Sequence, residues 1–100
     1  MPSRDQLKTL LHECINDYAE QAGVTIAVND DTPLMGEGSA VDSLGLVMIV
    51  TGYEAKLNET FDAGIVLASE AAMSMRRSPF RSVGALAEYA EQLLTEANAA

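Results

Sequence analysis

The chain has little sulfur chemistry, few rings and little positive charge. Cys14 is its only cysteine, so no internal disulfide can form, and a reducing compartment is the simpler expectation. There is no Trp and only five aromatic residues in all, against 48% hydrophobic content that is mostly aliphatic and Ala. That balance favours helix packed on helix over a sheet sandwich. Six basic residues face fifteen acidic ones, a formal charge of −9, and such a field repels phosphate backbones and anionic lipid surfaces alike. Nucleic-acid and membrane partners are therefore not expected. No apolar run approaches membrane-spanning length, and Arg4, Asp5, Lys8, Glu13 and Asp17 interrupt the amino-terminal leucines, which excludes a signal-peptide core. The expectation is a cytoplasmic, monomeric protein whose 100 residues make one domain, 1–100, with a single core.

Helical signals occupy most of the chain. Ser3-Arg4-Asp5-Gln6 reads as a capping box, and Gly23 suits a left-handed stop, bracketing a first helix of roughly 30 Å at 1.5 Å per residue. Leu7, Leu11, Cys14, Ile15, Tyr18 and Ala22 make its apolar stripe, so Cys14 is expected as a buried thiol rather than a nucleophile. From Val24 to Val41 the helical period disappears. Val24, Ile26 and Val28 alternate with polar or small residues, and Asn29-Asp30-Asp31-Thr32-Pro33 signals a turn. A long loop over the bundle, with Leu34 and Met35 tucked in, is favoured over a short strand, since no partner strand is evident.

A second helix is expected from Asp42 or Ser43 to about Phe61, with Leu46, Val50, Tyr53, Leu57 and Phe61 inward and Gly64 as its stop. Gly45 and Gly52 inside it each cost up to about 1 kcal/mol relative to Ala and are read as places of close approach. A short third helix fits Ser69 through Met75, followed by Arg76, Arg77 and the break at Ser78-Pro79. The last helix follows Ser82 and is expected to bury Val83, Leu86, Ala87, Ala90, Leu93 and Leu94, opposite Glu88, Glu91, Gln92 and Glu96.

Chemistry concentrates at Asp42-Ser43-Leu44, where a Gly-bearing loop (Gly36, Gly38) gives way to an amphipathic helix. Both Asp and Ser are favoured helix caps, and that purely structural role is one reading of the pair. A helix amino terminus also welcomes a phosphodiester, because unpaired N–H groups and the positive dipole end face it. Placement and helix order together resemble the acyl carrier proteins over nearly the whole chain. The resemblance implies an all-α four-helix bundle with a long loop between helices I and II and a short third helix. It implies a carrier that is a substrate rather than an enzyme. A phosphopantetheinyl transferase would join Ser43 to a 4′-phosphopantetheine arm from coenzyme A. Asp42 would serve the Mg²⁺ used only during that transfer, and Leu44 would anchor the helix start. Acyl-loading and acyl-processing enzymes would then be partners, meeting Met48, Thr51, Glu54 and Ala55 on helix II, with Arg76 and Arg77 beyond it. Compared with fatty-acid-synthesis carriers, the outer face of helix II keeps only Glu54 as an acid. That points to a specialised cluster, polyketide or other, rather than housekeeping fatty-acid biosynthesis.

Two other classes fit parts of the pattern. An aminoacyl or peptidyl carrier would more often read Gly-Gly-x-Ser at the attachment point, and an unmodified acidic helical adaptor would show the same helix periods. A serine hydrolase fits poorly: Val41 stands where the Gly-Asp-Ser-Leu motif has Gly, and the one histidine, His12, lies in helix I. One His and one Cys, both in that helix, offer no metal-ligand set, and no catalytic residue is expected.

Overall fold

The computed structural model describes residues 3–35, 39, 41–74 and 78–99, without the side chains of Ser43, Ala71, Met73, Asn98 and Ala99. Gly36, Gly38, Met75, Arg76 and Arg77 lie outside the described residues, and with them the expected roles of the loop glycines and of the arginine pair. The described residues are all-α. Three long helices, α1 (Arg4–Ala22), α2 (Ser43–Phe61) and α4 (Val83–Ala99), carry the fold, and α3 (Glu70–Met73) is a single turn. No helix among the described residues is long and apolar enough to cross a membrane.

Helix α1 starts and stops where its capping signals place it. The Ser3 hydroxyl accepts the Gln6 N–H at 3.1 Å, and Gly23 takes φ +71° while its N–H closes the last turn. Packed between α2 and α4, it buries Leu7, Leu11, Cys14, Ile15 and Ala19. The stripe runs straight in steps of four, so Ala22 is exposed rather than buried, and Tyr18 is only partly covered, with its ring turned toward α2.

Helix α2 follows its expected bounds with a different stop. Asp62, at φ +50°, takes the left-handed position, and the Ala63 N–H returns to the Asn58 carbonyl at 3.0 Å. Gly64 follows the end without making it. The core face is Ile49, Val50, Tyr53 and Leu57, flanked by the partly covered Leu46 and Phe61. Two contacts register α2 against α1. The Tyr53 hydroxyl donates to the Leu7 carbonyl at 2.9 Å inside the core. At the other end Gly45 lies on the Tyr18 ring, where a Cβ would sit 2.5 Å from Cζ and the hydroxyl oxygen. Gly52 is looser, its nearest neighbour being Cys14 Sγ at 4.0 Å from a would-be Cβ, so close approach explains Gly45 and not Gly52.

The segment after Gly23 forms no strand. Its turn is built on Thr32, whose hydroxyl accepts the Asn29 N–H and donates to the Ala27 carbonyl, both at 2.8 Å. An isolated bridge then ties it to the start of α4: Leu34 N–H to Arg81 O at 3.2 Å, Val83 N–H to Thr32 O at 3.0 Å. Beside it the Gly84 N–H reaches Asp30 O at 2.9 Å. Leu34 is fully buried as expected, whereas Met35 is exposed, because the bridge turns alternate residues to opposite sides. In α4, Ser82 caps the Ala85 N–H, and Val83, Ala85, Leu86, Ala87, Tyr89, Ala90 and Leu94 are buried.

Burial, with lesser help from the nearby acids Asp17 and Glu13, raises the Cys14 thiol above its ordinary 9.0, and burial also raises the Tyr53 phenol. The stability linked to a raised thiol is complete below the unfolded value near 9 and is lost as pH climbs through the folded one. Urea melts are therefore expected to show stability declining above pH 9, with Cys14→Ala flattening part of that decline. Gly45→Ala is expected to cost about 1 to 3 kcal/mol in the same melts, through overpacking against Tyr18. Tyr18→Leu in that background should recover part of the loss, and an equal cost in both backgrounds would refute the steric account.

Candidate functional site

The approach to Asp42-Ser43-Leu44 is held by short-range polar contacts. Ser39 Oγ accepts the Val41 N–H at 3.0 Å and lies within hydrogen-bond reach of the Pro33 and Val41 carbonyls. Val41 is buried, and the chain then turns into α2. Asp42 is the N-cap, its Oδ1 accepting the Gly45 N–H at 2.7 Å while its carbonyl accepts the Leu46 N–H at 2.9 Å. Ser43 is therefore the first residue of the helix and not its cap, so capping explains an acid at 42 but not a serine at 43. Of the first-turn amides, Asp42 satisfies those of Gly45 and Leu46. The two ahead of them face out of the amino end, where the backbone suits an anion. The orientation of the Ser43 hydroxyl lies outside the described residues.

From this end an apolar strip runs along the outside of α2. Leu44 is 70% exposed, Val47 59% and Met48 46%, with Thr51 and Ala55 exposed beyond them. Exposed leucine and valine on successive turns of one helix are unusual in a chain this acidic. Leu44 does not anchor the helix start by packing; that work falls to Gly45 and Val41 on the inner side.

Glu54, expected as the remaining outward acid, is half-buried and engaged. Its Oε1 accepts the Leu67 N–H at 2.8 Å. One turn on, the Asn58 side chain grips Ile65 at both backbone groups, accepting its N–H at 2.9 Å and donating to its carbonyl at 3.1 Å. Ile65 and Leu67 are buried and Val66 between them is exposed, so this strap lies extended against α2 with its backbone satisfied by α2 side chains. The pair 54 and 58 is at i, i+4 spacing on one face, a signal that the sequence carried without showing what it would hold.

Beyond the strap, Ser69 caps α3 through the Ala72 N–H, and Ala72 is buried. Between α2, the strap end and the turn at Ser78 lies an apolar cavity of about 370 Å³. Val50, Ala72 and Phe80 form its buried floor, Leu46 and Ser78 its flanks, and Met35, Val47, Thr51 and Ala68 its rim. Phe80 is core that periodicity missed, since it stands alone between helices. Ser78 Oγ accepts the Phe80 N–H at 3.1 Å and contacts Met35 Sδ at 3.5 Å. Arg81 bonds the Ser78 carbonyl at 2.8 Å, completing its own turn.

Other polar groups are accounted for locally. Arg4 pairs with Glu91 at 3.0 Å, and that bond holds the Glu91 carboxyl below its usual range. Lys8 pairs with Asp30 and Lys56 with Glu13. His12 Nε2 is buried with no hydrogen-bond partner, far from the features of a catalytic base. No cluster of three potential metal ligands occurs among the described residues.

No protein-family model, no curated protein and no solved structure matches this chain.

Amide exchange measures the strap directly. Asn58→Ala leaves two backbone groups of Ile65 without partners and is expected to cost about 1 to 2 kcal/mol, with exchange at Ile65 and Leu67 accelerated ahead of global unfolding. Glu54→Gln retains an acceptor for Leu67 and should exchange like the parent. Unchanged exchange at both amides in Asn58→Ala would show that the strap is held by its buried side chains alone.

Proposed function

We propose that this chain is a stand-alone acyl carrier protein of specialised type, a single domain 1–100 folded as an acyl-carrier four-helix bundle. Ser43 is the attachment point of a 4′-phosphopantetheine arm. The observation that carries this reading is Asp42-Ser43-Leu44 at the amino end of α2, where Asp42 takes the cap and leaves position 43 as the first helical residue. In the attachment reaction the serine oxygen forms a bond to the phosphorus of coenzyme A's pantetheine arm. The nucleotide bisphosphate leaves, and the hydroxyl proton is lost to base. The transferase and Mg²⁺ supply that chemistry. The chain contributes the acceptor, a helix end suited to the new phosphodiester, and the second carboxylate oxygen of Asp42 beside it. It performs no catalysis of its own.

In this reading Leu44, Val47, Met48, Thr51 and Ala55 form the surface that the transferase and the acyl-handling enzymes meet. Glu54 serves chiefly to hold the strap. The compartment is the cytoplasm and the working form a monomer. A second reading, an unmodified helical adaptor, draws on the same exposed strip, because an apolar helix face needs no prosthetic arm to bind a partner.

Intact mass separates the two. Incubation with coenzyme A, Mg²⁺ and a broad-specificity phosphopantetheinyl transferase is expected to add one phosphopantetheine to the wild-type chain and none to Ser43→Ala. Thermal melting must show the variant folded. A wild-type mass that stays unshifted, under conditions that convert an established carrier, would replace the carrier by the adaptor.

A further inference from the structure

We infer that the group this carrier holds is an uncharged aliphatic acyl chain of up to about ten carbons, seated in the cavity under α3, and not an aminoacyl group. The inference rests on the carrier reading and names its cargo. The first support is chemical. The buried floor of the cavity is Val50, Ala72 and Phe80, and no charged side chain lines it in a protein of net charge −9. Its two hydroxyls offer a cation nothing inside. Ser78 Oγ is already engaged with the Phe80 N–H and Met35, and Thr51 stands at the exposed rim. An ammonium group drawn into such a site would lose its water with no acceptor to replace it, whereas methylenes gain by leaving water.

The second support is position. Leu46 and Val47 are three and four residues beyond Ser43, one helical turn, so the rim opens on the side of α2 where an arm from Ser43 begins. The third is size. With a methylene filling about as much space as one water, roughly 30 Å³, the cavity of about 370 Å³ holds on the order of ten to twelve such groups. The wall cannot retreat freely to admit more. Asn58 and Glu54 pin Ile65 and Leu67, so yielding is confined to Ala68 and the single turn of α3. A pinned wall turns a volume into a length limit.

The test uses the intact chain in two arms. In the first, the unmodified protein is titrated with 1-alkanols from six to fourteen carbons. Affinity is expected to rise about three- to fourfold per methylene and to level off near ten carbons. In the second, the transferase loads Ser43 from butyryl-, octanoyl-, decanoyl-, tetradecanoyl- and alanyl-coenzyme A, and each product is melted. The midpoint should climb to decanoyl and no further, with alanyl no higher than the unloaded holo-protein.

Two variants move the limit in opposite directions. Ala72→Leu should shorten it by about three carbons, and Phe80→Leu, which removes bulk without emptying the floor, should lengthen it. If Ala72→Leu fails to fold, Phe80→Leu alone decides. Loading without any length dependence, or alanyl stabilising as much as decanoyl, overturns the cargo assignment while leaving the carrier standing. Failure of every acyl-coenzyme A to load, with alkanols still bound, overturns the carrier and its cargo together.

Discussion

The contact on which the rest depends is that of Gly45 with the Tyr18 ring. A helix with side chains at every position along its inner face cannot approach its neighbour this closely, and here the single missing Cβ brings the amino end of α2 against α1. The buried hydrogen bond from Tyr53 to Leu7 fixes a second point eight residues along α2 and eleven back along α1. Two fixed points on antiparallel rods set both register and rotation. They determine which residues of α2 face the core and which face water, and thereby where residues 42 to 44 are presented. The cost of a helical glycine, up to about 1 kcal/mol, is offset by this placement.

Rotation of α2 has a second consequence on its far side. It brings Glu54 and Asn58 over the returning chain, and their polar groups satisfy the backbone of Ile65 and Leu67. A short buried segment outside any helix needs such partners, because its amides have no ladder to join. The side chains engaged there are largely withdrawn from the surface. The outward face of α2 is left to Leu44, Val47 and Met48, so it is apolar because its polar members are bound to the strap.

Much of this was legible in the sequence, for identifiable reasons. Caps are local, so Ser3, Gly23, Asp42, Ser69 and Ser82 marked helix boundaries that the structure keeps. The stripes of α1 and α4 were legible where spacing is regular. Drift at the ends was not: Ala22 and Ala19 are the same residue type, and only the direction of the neighbouring helix decides which is covered. Ile49 and Tyr89 escaped because α2 and α4 are apolar on more than one face, which blunts any periodic signal. Phe80, Met35 and the strap were beyond the sequence altogether. Their environments come from pairings across the chain, Thr32 with Val83 and Glu54 with Leu67, and neither pair has a local signature. The stop at Asp62 was masked by Gly64, since glycine is the usual left-handed residue and aspartate only a tolerated one. The triplet at the start of α2 was readable as a motif, yet only the geometry separates the roles of its first two members by giving the cap to Asp42.

Unequal stability across the molecule follows from these contacts. Helices α1, α2 and α4 share one core, so displacing any of them exposes several fully buried side chains at once. The single turn of α3 has one residue, Ala72, in that core, one cap from Ser69 and one closing amide from Ser74. Its displacement uncovers little apolar area and breaks few bonds, so local opening there lies far below the free energy of global unfolding. The wall that α3 gives to the cavity can therefore adjust while the amino end of α2 stays pressed on Tyr18. A protein that offers one residue to a series of enzymes and houses what is attached to it needs that division. The point of presentation must not move when the contents of the cavity change. Here the two are separated by Val50, which packs in the common core on one side and floors the cavity on the other.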